Sequence, residues 1–319
     1  MNRTVLLMAF LLAFPTAAGA ASWTEMPIEA PGPAGLLAGT RTDVPGDAEP
    51  VVLIIPGSGP TDRDGNNPLG VAAATYRMLA HGLAERGIAT VRIDKRGMFG
   101  SASAVADPNA VTIGDYANDL RSWIAVIRAS TGAKCIWVLG HSEGALVGLT
   151  AAAADPAEIC GLVLVAAPGQ PMDDVVRDQL RAKPANTPIL AEAEKALSDL
   201  KAGRHIPGEE ISPPLMALFR PEVQDYLIDM FQRDPAALIA EIQSPTLLLY
   251  GDRDLQTPTS EGRLLASAAS HAELTVIPTA NHVLKSVTAD NREATVAAYA
   301  DPTLPLAPGV VERIATFVK

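Results

Sequence analysis

The stretch from residue 134 to residue 150, KCIWVLGHSEGALVGLT, contains the part of the sequence that decides the fold. Its apolar run at residues 136–139 predicts a short buried strand. The pentapeptide GHSEG follows at residues 140–144, and the small residues at 145–154 favour a helix. A strand, a G-x-S-x-G turn and a helix in this order are typical of a nucleophile elbow, which holds a serine above the end of a sheet.

Gly140 and Gly144 are required in such a turn, because side chains there would collide with the turn and with the following helix. Ser142 then lies at the N-terminus of the helix, where free N–H groups stabilise developing negative charge. The alternative is that Ser142 only caps the helix, since serine is a favoured N-cap residue.

The composition is that of a packed globular protein. The 319 residues suffice for one large domain or two small ones, and 48% of them are hydrophobic while 19% are charged. The net charge of −11 argues against nucleic acid as a partner, since its binding needs basic patches. It also argues against adsorption to anionic membranes.

Residues 1–20 have the pattern of a signal peptide. Arg3 gives a positive start, residues 5–14 form an apolar core, and residues 18–20 (AGA) match a cleavage site. The apolar run is too short for a spanning helix, although an uncleaved anchor remains the alternative. We therefore expect an exported protein, periplasmic or secreted, with no membrane span after cleavage.

Export bears on the two cysteines. Cys135 begins the predicted strand before the serine turn, and Cys160 begins the next apolar run, residues 162–165. If these strands are parallel neighbours, both cysteines lie at the N-terminal edge of the sheet, where a disulfide is geometrically feasible in an oxidising compartment. The alternative is a pair of buried free thiols.

Apolar runs alternate with amphipathic segments along most of the chain, which predicts a mostly parallel sheet flanked by helices. Two alternating stretches, residues 23–28 and 36–42, suggest antiparallel edge strands. The predicted core strands are residues 51–55, 88–93, 136–139, 162–165, 246–250 and 274–277, and the predicted helices between and after them are residues 75–86, 112–130, 145–154, 260–269 and 310–318.

This alternation breaks between residues 168 and 241. The segment contains no convincing core strand, and its helical stretches at residues 172–182, 189–201 and 221–231 are separated by prolines. Such an insertion predicts a helical cap over the active-site edge. We therefore predict an α/β core in two parts, residues 21–167 and 242–319, with a cap at 168–241.

A serine nucleophile needs a base to take its proton and a carboxylate to orient that base. Of five histidines, only His282 lies in a loop after a late strand, and the alternative for it is an ordinary surface histidine. The acid is Asp252 or Asp254. Asp254 is favoured because it lies further out, where the loop turns toward His282, while Asp252 would cap the loop.

An oxyanion hole would use the backbone N–H of Glu143, the residue after the nucleophile. The second donor is expected from the glycine-rich turn after residue 55, through Ser58, with Gly57 as the fallback. The Glu143 side chain is expected to be structural, because a bare carboxylate beside an oxyanion opposes catalysis. Residues 62–64 (DRD) either line the pocket or form a solvated, ion-paired turn.

Taken together, these motifs resemble the α/β-hydrolase superfamily, and in particular bacterial serine esterases similar to the serine aminopeptidase and monoacylglycerol-lipase-like group. The motifs that carry the resemblance are PGSGP with TDRDG at residues 56–65, DKRG at 94–97, GHSEG at 140–144, GDRD at 251–254 and NH at 281–282. The resemblance implies ester hydrolysis through an acyl-enzyme, without a cofactor or a metal. It also supports Asp254 as the acid and His282 as the base.

One departure is Pro56, where many relatives carry histidine, but the backbone donor after it is retained. Asp94 and Arg96 are expected to brace neighbouring loops. The leading interpretation is a serine esterase that acts on small-molecule esters with short- to medium-chain acyl groups. A peptidase or amidase would use the same triad, with Glu209 or Glu210 pairing with a substrate amine. A third alternative is a non-catalytic binding protein on this fold.

Overall fold

A sheet of eight strands forms the centre of the computed structural model, which describes residues 23–46, 50–288 and 292–319. The predicted signal peptide, residues 1–20, lies outside the described residues. The strands of the sheet are β1 (Thr24–Pro31), β2 (Leu36–Asp43), β3 (Val51–Ile55), β6 (Ala89–Ile93), β7 (Ile136–His141), β8 (Ile159–Val165), β9 (Thr246–Gly251) and β10 (Glu273–Ile277); β4 (Asn66–Asn67) and β5 (Val71–Ala72) form a separate short hairpin.

The strand order is β1-β2-β6-β3-β7-β8-β9-β10. The pairs β1–β2 and β2–β6 are antiparallel, and all the other pairs are parallel. The predicted pair of edge strands is therefore half correct: β1 is an edge strand, but β2 is interior because it pairs with β6 on its other side. The mostly parallel sheet confirms the predicted fold class.

Helices cover both faces of the sheet, so the strands read as continuous apolar runs. In β3, Val52 and Ile54 point into the core under α1 and α11, while Leu53 and Ile55 point into the core on the other face. No helix of the described residues is both long and apolar enough to cross a bilayer. The helices are α1 (Thr75–Ala84), α2 (Ile113–Thr131), α3 (Glu143–Ala154), α4 (Met172–Arg181), α5 (Leu190–Lys201), α6 (Pro213–Phe219), α7 (Gln224–Phe231), α8 (Pro235–Glu241), α9 (Thr259–Ala268), α10 (Arg292–Ala297) and α11 (Val310–Val318).

Helix α2 shows how the sequence sets these elements. A capping box starts the helix: the Asp115 N–H donates to the Thr112 hydroxyl, and the Thr112 N–H donates to the Asp115 carboxylate, both at 3.0 Å. Its buried stripe includes Leu120 and Ile124, as the periodicity predicts. Gly132, at φ 79°, ends the helix in the left-handed conformation that glycine adopts without strain.

Between β8 and β9 the described chain contains helices only. Helices α4, α5 and α7 pack on one another, whereas α8 packs against α3 and α9 in the layer beside the sheet. Helices α6 and α8 are additions to the predicted set. Both begin with prolines at their first positions, where a missing N–H costs nothing. The boundaries of a separate cap at residues 168–241 stay a prediction.

Cys135 and Cys160 form a disulfide, with 5.1 Å between their Cα atoms. Strands β7 and β8 are parallel neighbours, so the two residues meet at the N-terminal edge of the sheet. Closing a loop of this length, with a sequence separation of 25, stabilises the fold by about 3.5 kcal/mol in the chain-entropy treatment. The disulfide lies at the opposite edge of the sheet from Ser142.

Candidate active site

Ser142 stands in a strained turn between β7 and α3, with φ 54° and ψ −120°. A Cβ atom on Gly140 would lie 2.2 Å from the carbonyl oxygen of Gly144, and one on Gly144 would lie 2.5 Å from that of Ile55. Both glycines are therefore required by close approach, as predicted. Within the described chain, the Ser142 side chain makes no capping hydrogen bond to α3, so it does not serve as the N-cap group of that helix.

His282 and Asp254 are joined by a hydrogen bond of 2.8 Å between Nδ1 and Oδ2. The other Asp254 oxygen accepts the backbone N–H groups of Gln256 at 2.8 Å and Thr257 at 2.9 Å. Burial alone raises the pKa of the Asp254 carboxyl, but the His282 imidazole and these two amides lower it further than burial raises it. The carboxylate therefore stays ionised and orients the imidazole through its Nδ1.

Asp252 has a different structural role from Asp254. Its carboxylate accepts the N–H of Thr279 at 2.7 Å, and so ties the loop after β9 to the loop that carries His282. The two loops touch so closely that a Cβ atom on Gly251 would lie 2.0 Å from the carbonyl oxygen of Ala280. The glycine before the acidic loop is therefore needed for that approach.

A chain of buried hydrogen bonds connects the Gly57 N–H to the backbone carbonyl of His282. The Gly57 N–H donates to the Tyr76 hydroxyl at 3.0 Å, and this hydroxyl bonds His141 Nδ1 at 2.8 Å. His141 Nε2 in turn donates to the His282 carbonyl at 2.8 Å. Burial and the nearby His282 lower the pKa of His141 to about 3, so this imidazole is neutral and acts as a fixed link.

The same chain involves one of the two expected donors of the glycine-rich turn. Because the Gly57 N–H already donates to Tyr76, it is not available to an oxyanion. Ser58 is exposed and lies beside the nucleophile, since it lines the same cavities as Ser142. That the Ser58 amide is the second donor stays a prediction.

The Glu143 carboxylate is buried and paired. Lys95 Nζ donates to it at 2.8 Å, and the Tyr226 hydroxyl of α7 donates to its other oxygen. Burial alone raises the pKa of Glu143, but the charge of Lys95 and the hydrogen bonds from Lys95, Tyr226 and Ser58 bring it below the ordinary value. The side chain is thus a compensated charge inside the fold and not a bare carboxylate at the reaction centre.

Two cavities meet at Ser142. The larger, about 490 Å³, is lined by Ser58, Ser142 and Glu143 together with residues of α4 and α9. The smaller, about 170 Å³, is lined by Ser58 and Ser142 and also by His282. A ligand that reaches the Ser142 hydroxyl therefore has space on two sides, and His282 faces only one of them.

The remaining residues singled out in the sequence lie outside these cavities. Residues 62–64 form an ion-paired turn, in which the Arg63 Nε donates to Asp94 at 3.0 Å. Asp94 thus braces a neighbouring loop as expected, whereas Arg96 ties its own loop to α2, with an Nε–Oδ2 distance of 2.7 Å to Asp119. Glu209 and Glu210 lie in a 3-10 turn away from Ser142.

Sequence reasoning missed the roles of Lys95, Tyr76, Tyr226 and His141. One signal was available for Lys95. The motifs at residues 94–97 and 140–144 both follow core strands and contain opposite charges, Lys95 and Glu143, that meet at one sheet edge. The two tyrosines gave no comparable signal, because each lies on an ordinary amphipathic helix.

Comparison with known proteins decides the family. Residues 69–286, more than half of the chain, match the family described as Serine aminopeptidase, S33. The chain belongs to this family. The part that matches the serine aminopeptidase S33 family includes Ser142, Asp254 and His282, but it begins after Ser58. The match confirms the group that the motifs resemble.

Similar proteins outside the family comparison include Esterase EstD of Thermotoga maritima, which is 28% identical over 244 residues. The match covers 74% of this chain and 55% of EstD, so the chain spans about half the length of this relative. Among solved structures, the alpha/beta hydrolase GrgF from Penicillium sp. sh18 is 18% identical with a TM-score of 0.57, covering 81% of this chain and 91% of GrgF. The Pyrococcus furiosus esterase Pf2001 is 17% identical with a TM-score of 0.55, covering 93% and 92%. At these identities the likeness shows the fold, which is that of the α/β hydrolases.

Proposed function

We propose that this protein is a serine hydrolase that cleaves carboxylic esters, with Ser142 as the nucleophile, His282 as the general base and Asp254 as the residue that orients it. The observation that carries the proposal is the 2.8 Å bond between Asp254 and His282, on a cavity shared with a serine held in a strained turn. The names of Esterase EstD and of the Pyrococcus esterase support the same chemistry.

In this mechanism the Ser142 Oγ attacks the ester carbonyl carbon, and its proton passes to His282 Nε2. The tetrahedral intermediate collapses when the bond to the alcohol oxygen breaks and His282 returns the proton to that oxygen. A water molecule, deprotonated by His282, then attacks the acyl-enzyme and releases the acid. Asp254 stabilises the imidazolium in both halves and is not itself protonated.

The oxyanion of each intermediate would accept the backbone N–H groups of Ser58 and Glu143. Glu143 is the first residue of α3, so its amide is one of the donors that have no partner within the helix. Preorganised donors of this kind are each worth about 10²–10³ in kcat. The use of the Gly57 amide by Tyr76 supports Ser58 as the second donor.

The two cavities suggest how an ester would bind. His282 must protonate the departing alcohol, so we assign the alcohol to the 170 Å³ cavity that His282 lines and the acyl group to the 490 Å³ cavity. A volume of 490 Å³ lies in the lower half of the range for small-molecule sites, about 300–1,000 Å³. This size supports short- to medium-chain acyl groups.

We propose further that the protein works outside the cytoplasm, in the periplasm or secreted. Two observations support this location: the signal-peptide pattern of residues 1–20 and the disulfide between Cys135 and Cys160. Cell fractionation with N-terminal sequencing of the recovered protein tests it. A cytoplasmic protein that retains Met1 and has reduced cysteines would refute it.

A peptidase is the second candidate function. Two carboxylates, Asp178 and Glu261, line the larger cavity and would attract a substrate amine. Glu209 and Glu210, the residues first considered for this role, line neither cavity at Ser142. The test compares the rate enhancement over the uncatalysed reaction for aminoacyl p-nitroanilides and for p-nitrophenyl esters. A larger enhancement for the anilides would favour the peptidase.

The test of the leading proposal is hydrolysis of p-nitrophenyl esters from acetate to dodecanoate by the wild type and by Ser142→Ala. The wild type should turn over the shorter esters, and the variant should lose at least about 10⁴-fold in kcat. Equal activity in both proteins would refute Ser142 as the nucleophile. If the wild type is inactive on esters and active on anilides, the peptidase replaces the esterase as the proposed function.

A further inference from the structure

Lys95 occupies an unusual position for a lysine. Its side chain is only 2% exposed, although burying an ammonium group is costly unless the charge is paired. The ammonium donates two hydrogen bonds of 2.8 Å, one to the Glu143 carboxylate and one to the backbone carbonyl of Gly57. The first bond neutralises the charge, and the second fixes a peptide group next to the nucleophile.

The peptide in question joins Gly57 to Ser58. In a planar trans peptide the C=O of one residue and the N–H of the next point in opposite directions. Holding the Gly57 carbonyl toward Lys95 therefore directs the Ser58 N–H away from Lys95. A Cβ atom on Gly57 would lie 3.3 Å from the Ser142 Cβ, so Gly57 is close to the nucleophile.

A cation on the carbonyl oxygen also polarises the peptide and strengthens its N–H as a donor. Lys95 is also bonded to the residue that provides the other proposed oxyanion donor. Glu143 supplies both the carboxylate that binds Lys95 and the backbone N–H proposed for the oxyanion. The Tyr226 hydroxyl occupies the other carboxylate oxygen, so that Lys95 and Glu143 are held in one arrangement.

We propose that Lys95 is a positioning residue that holds the Gly57–Ser58 peptide in the orientation an oxyanion requires, with Glu143 and Tyr226 fixing its ammonium group. The inference rests on the proposed function, and it adds a residue outside the catalytic triad on which transition-state stabilisation depends. Lys95 acts through the Ser58 amide and does not itself contact the substrate.

The test compares the wild type with Lys95→Met and with the double variant Lys95→Met/Glu143→Gln. The double variant avoids leaving a buried unpaired carboxylate, so it keeps the inference testable if the single variant fails to fold. Because an oxyanion forms only after attack, we expect kcat for p-nitrophenyl butyrate to fall about 10- to 100-fold while KM changes less than about threefold. Affinity for an alkyl trifluoromethyl ketone, which forms a tetrahedral adduct with a serine, should fall by the same factor as kcat/KM.

The matched control is Arg96→Met/Asp119→Asn, which removes a buried ion pair from the same loop without touching Gly57. We expect it to lower the thermal midpoint and to leave kcat within about threefold of the wild type. Equal losses of kcat in both double variants, or unchanged affinity for the ketone, would show that Lys95 acts only through stability and would overturn the inference.

The outcomes also separate this inference from the function on which it rests. If the wild type has no turnover that depends on Ser142, both fail together. If the wild type turns over and Ser142→Ala does not, but Lys95→Met/Glu143→Gln keeps wild-type kcat, the inference alone fails.

Discussion

The two sides of the larger cavity at Ser142 differ in how their charged groups are buried and paired. One side consists of the strand-end loops, which we define as residues 56–58, 94–97, 142–144, 252–257 and 279–286. The other side includes α4, which belongs to the α4–α7 segment, defined as residues 172–231. In the strand-end loops two charged pairs are buried and matched, Lys95–Glu143 and His282–Asp254, where every side chain is at most 8% exposed. Asp252 and Arg253 of the same loops are more exposed.

Most ion pairs of the α4–α7 segment have a largely exposed partner, although Asp173 is buried and is paired with Arg177 and Lys201. Arg181 binds Glu194 at 2.6 Å with 57% of the arginine side chain exposed, and Arg204 binds Asp199 with 63% exposed. Exposed pairs contribute little to stability, whereas breaking one partner of a buried pair leaves an uncompensated charge. On the proposed function, the buried pairs of the strand-end loops fix the chemistry, while α4 shapes the space for the substrate.

The largest effect should follow from a change in the strand-end loops. Asp254→Asn removes the charge that orients His282 and favours the wrong tautomer, so kcat for ester hydrolysis should fall by about 10⁴-fold. Asp252→Asn is the matched control, since Asp252 holds the loop through Thr279 and should keep kcat within about threefold. Steady-state kinetics on both variants checks this, and a larger loss in Asp252→Asn would reverse the assignment of the acid.

The buried His141 should give the next largest effect, on stability. Its pKa of about 3 in the folded protein lies below the ordinary 6.5, so between these values the unfolded chain binds a proton that the folded chain does not. The free energy of unfolding therefore falls as the pH drops below 6.5, by up to about 1.4 kcal/mol per pH unit from this group.

His141→Gln cannot titrate, so its stability should depend less steeply on pH. Urea unfolding at pH 5, 6 and 7 measures the two slopes, in a range where the Asp254 and Glu143 carboxyls, whose pKa values are lowered, stay ionised. Parallel curves for the wild type and the variant would contradict a buried neutral His141.

A change in the α4–α7 segment should alter selectivity without altering the chemistry. Val175 of α4 lines the larger cavity, so Val175→Trp should lower kcat/KM for p-nitrophenyl octanoate by about tenfold and leave that for the acetate within about twofold. Uniform losses along the acyl series would contradict the assignment of this cavity to the acyl group.

The smallest effect is expected for an exposed ion pair of the α4–α7 segment. Arg181→Gln should leave both the thermal midpoint, within about 1 °C, and kcat unchanged, because the arginine is mostly exposed. A fall in the midpoint of several degrees would show that this segment depends on its surface charges and would weaken the contrast with the strand-end loops.

The sequence predicts the core strands, the elbow and the three triad candidates, because each leaves a local signature of periodicity, glycine spacing or chain position. The contacts that join the loops leave no such local signature in the sequence. Tyr76 bonds His141 across 65 positions, and His141 bonds His282 across 141, so only the folded sheet brings them together. Glu209 and Glu210 line neither cavity at Ser142, and their placement could not be read from the sequence, since helix orientation in the insertion does not follow from its prolines.

The central claim is that Ser142 is a nucleophile activated by His282 and Asp254. Its most direct test is reaction with a fluorophosphonate followed by mass spectrometry of tryptic peptides, for the wild type and Ser142→Ala. We predict one phosphonyl group per chain on the peptide that contains Ser142, with loss of fluoride, and no adduct on the variant. An unlabelled wild type, or a label that persists in Ser142→Ala, would contradict the account.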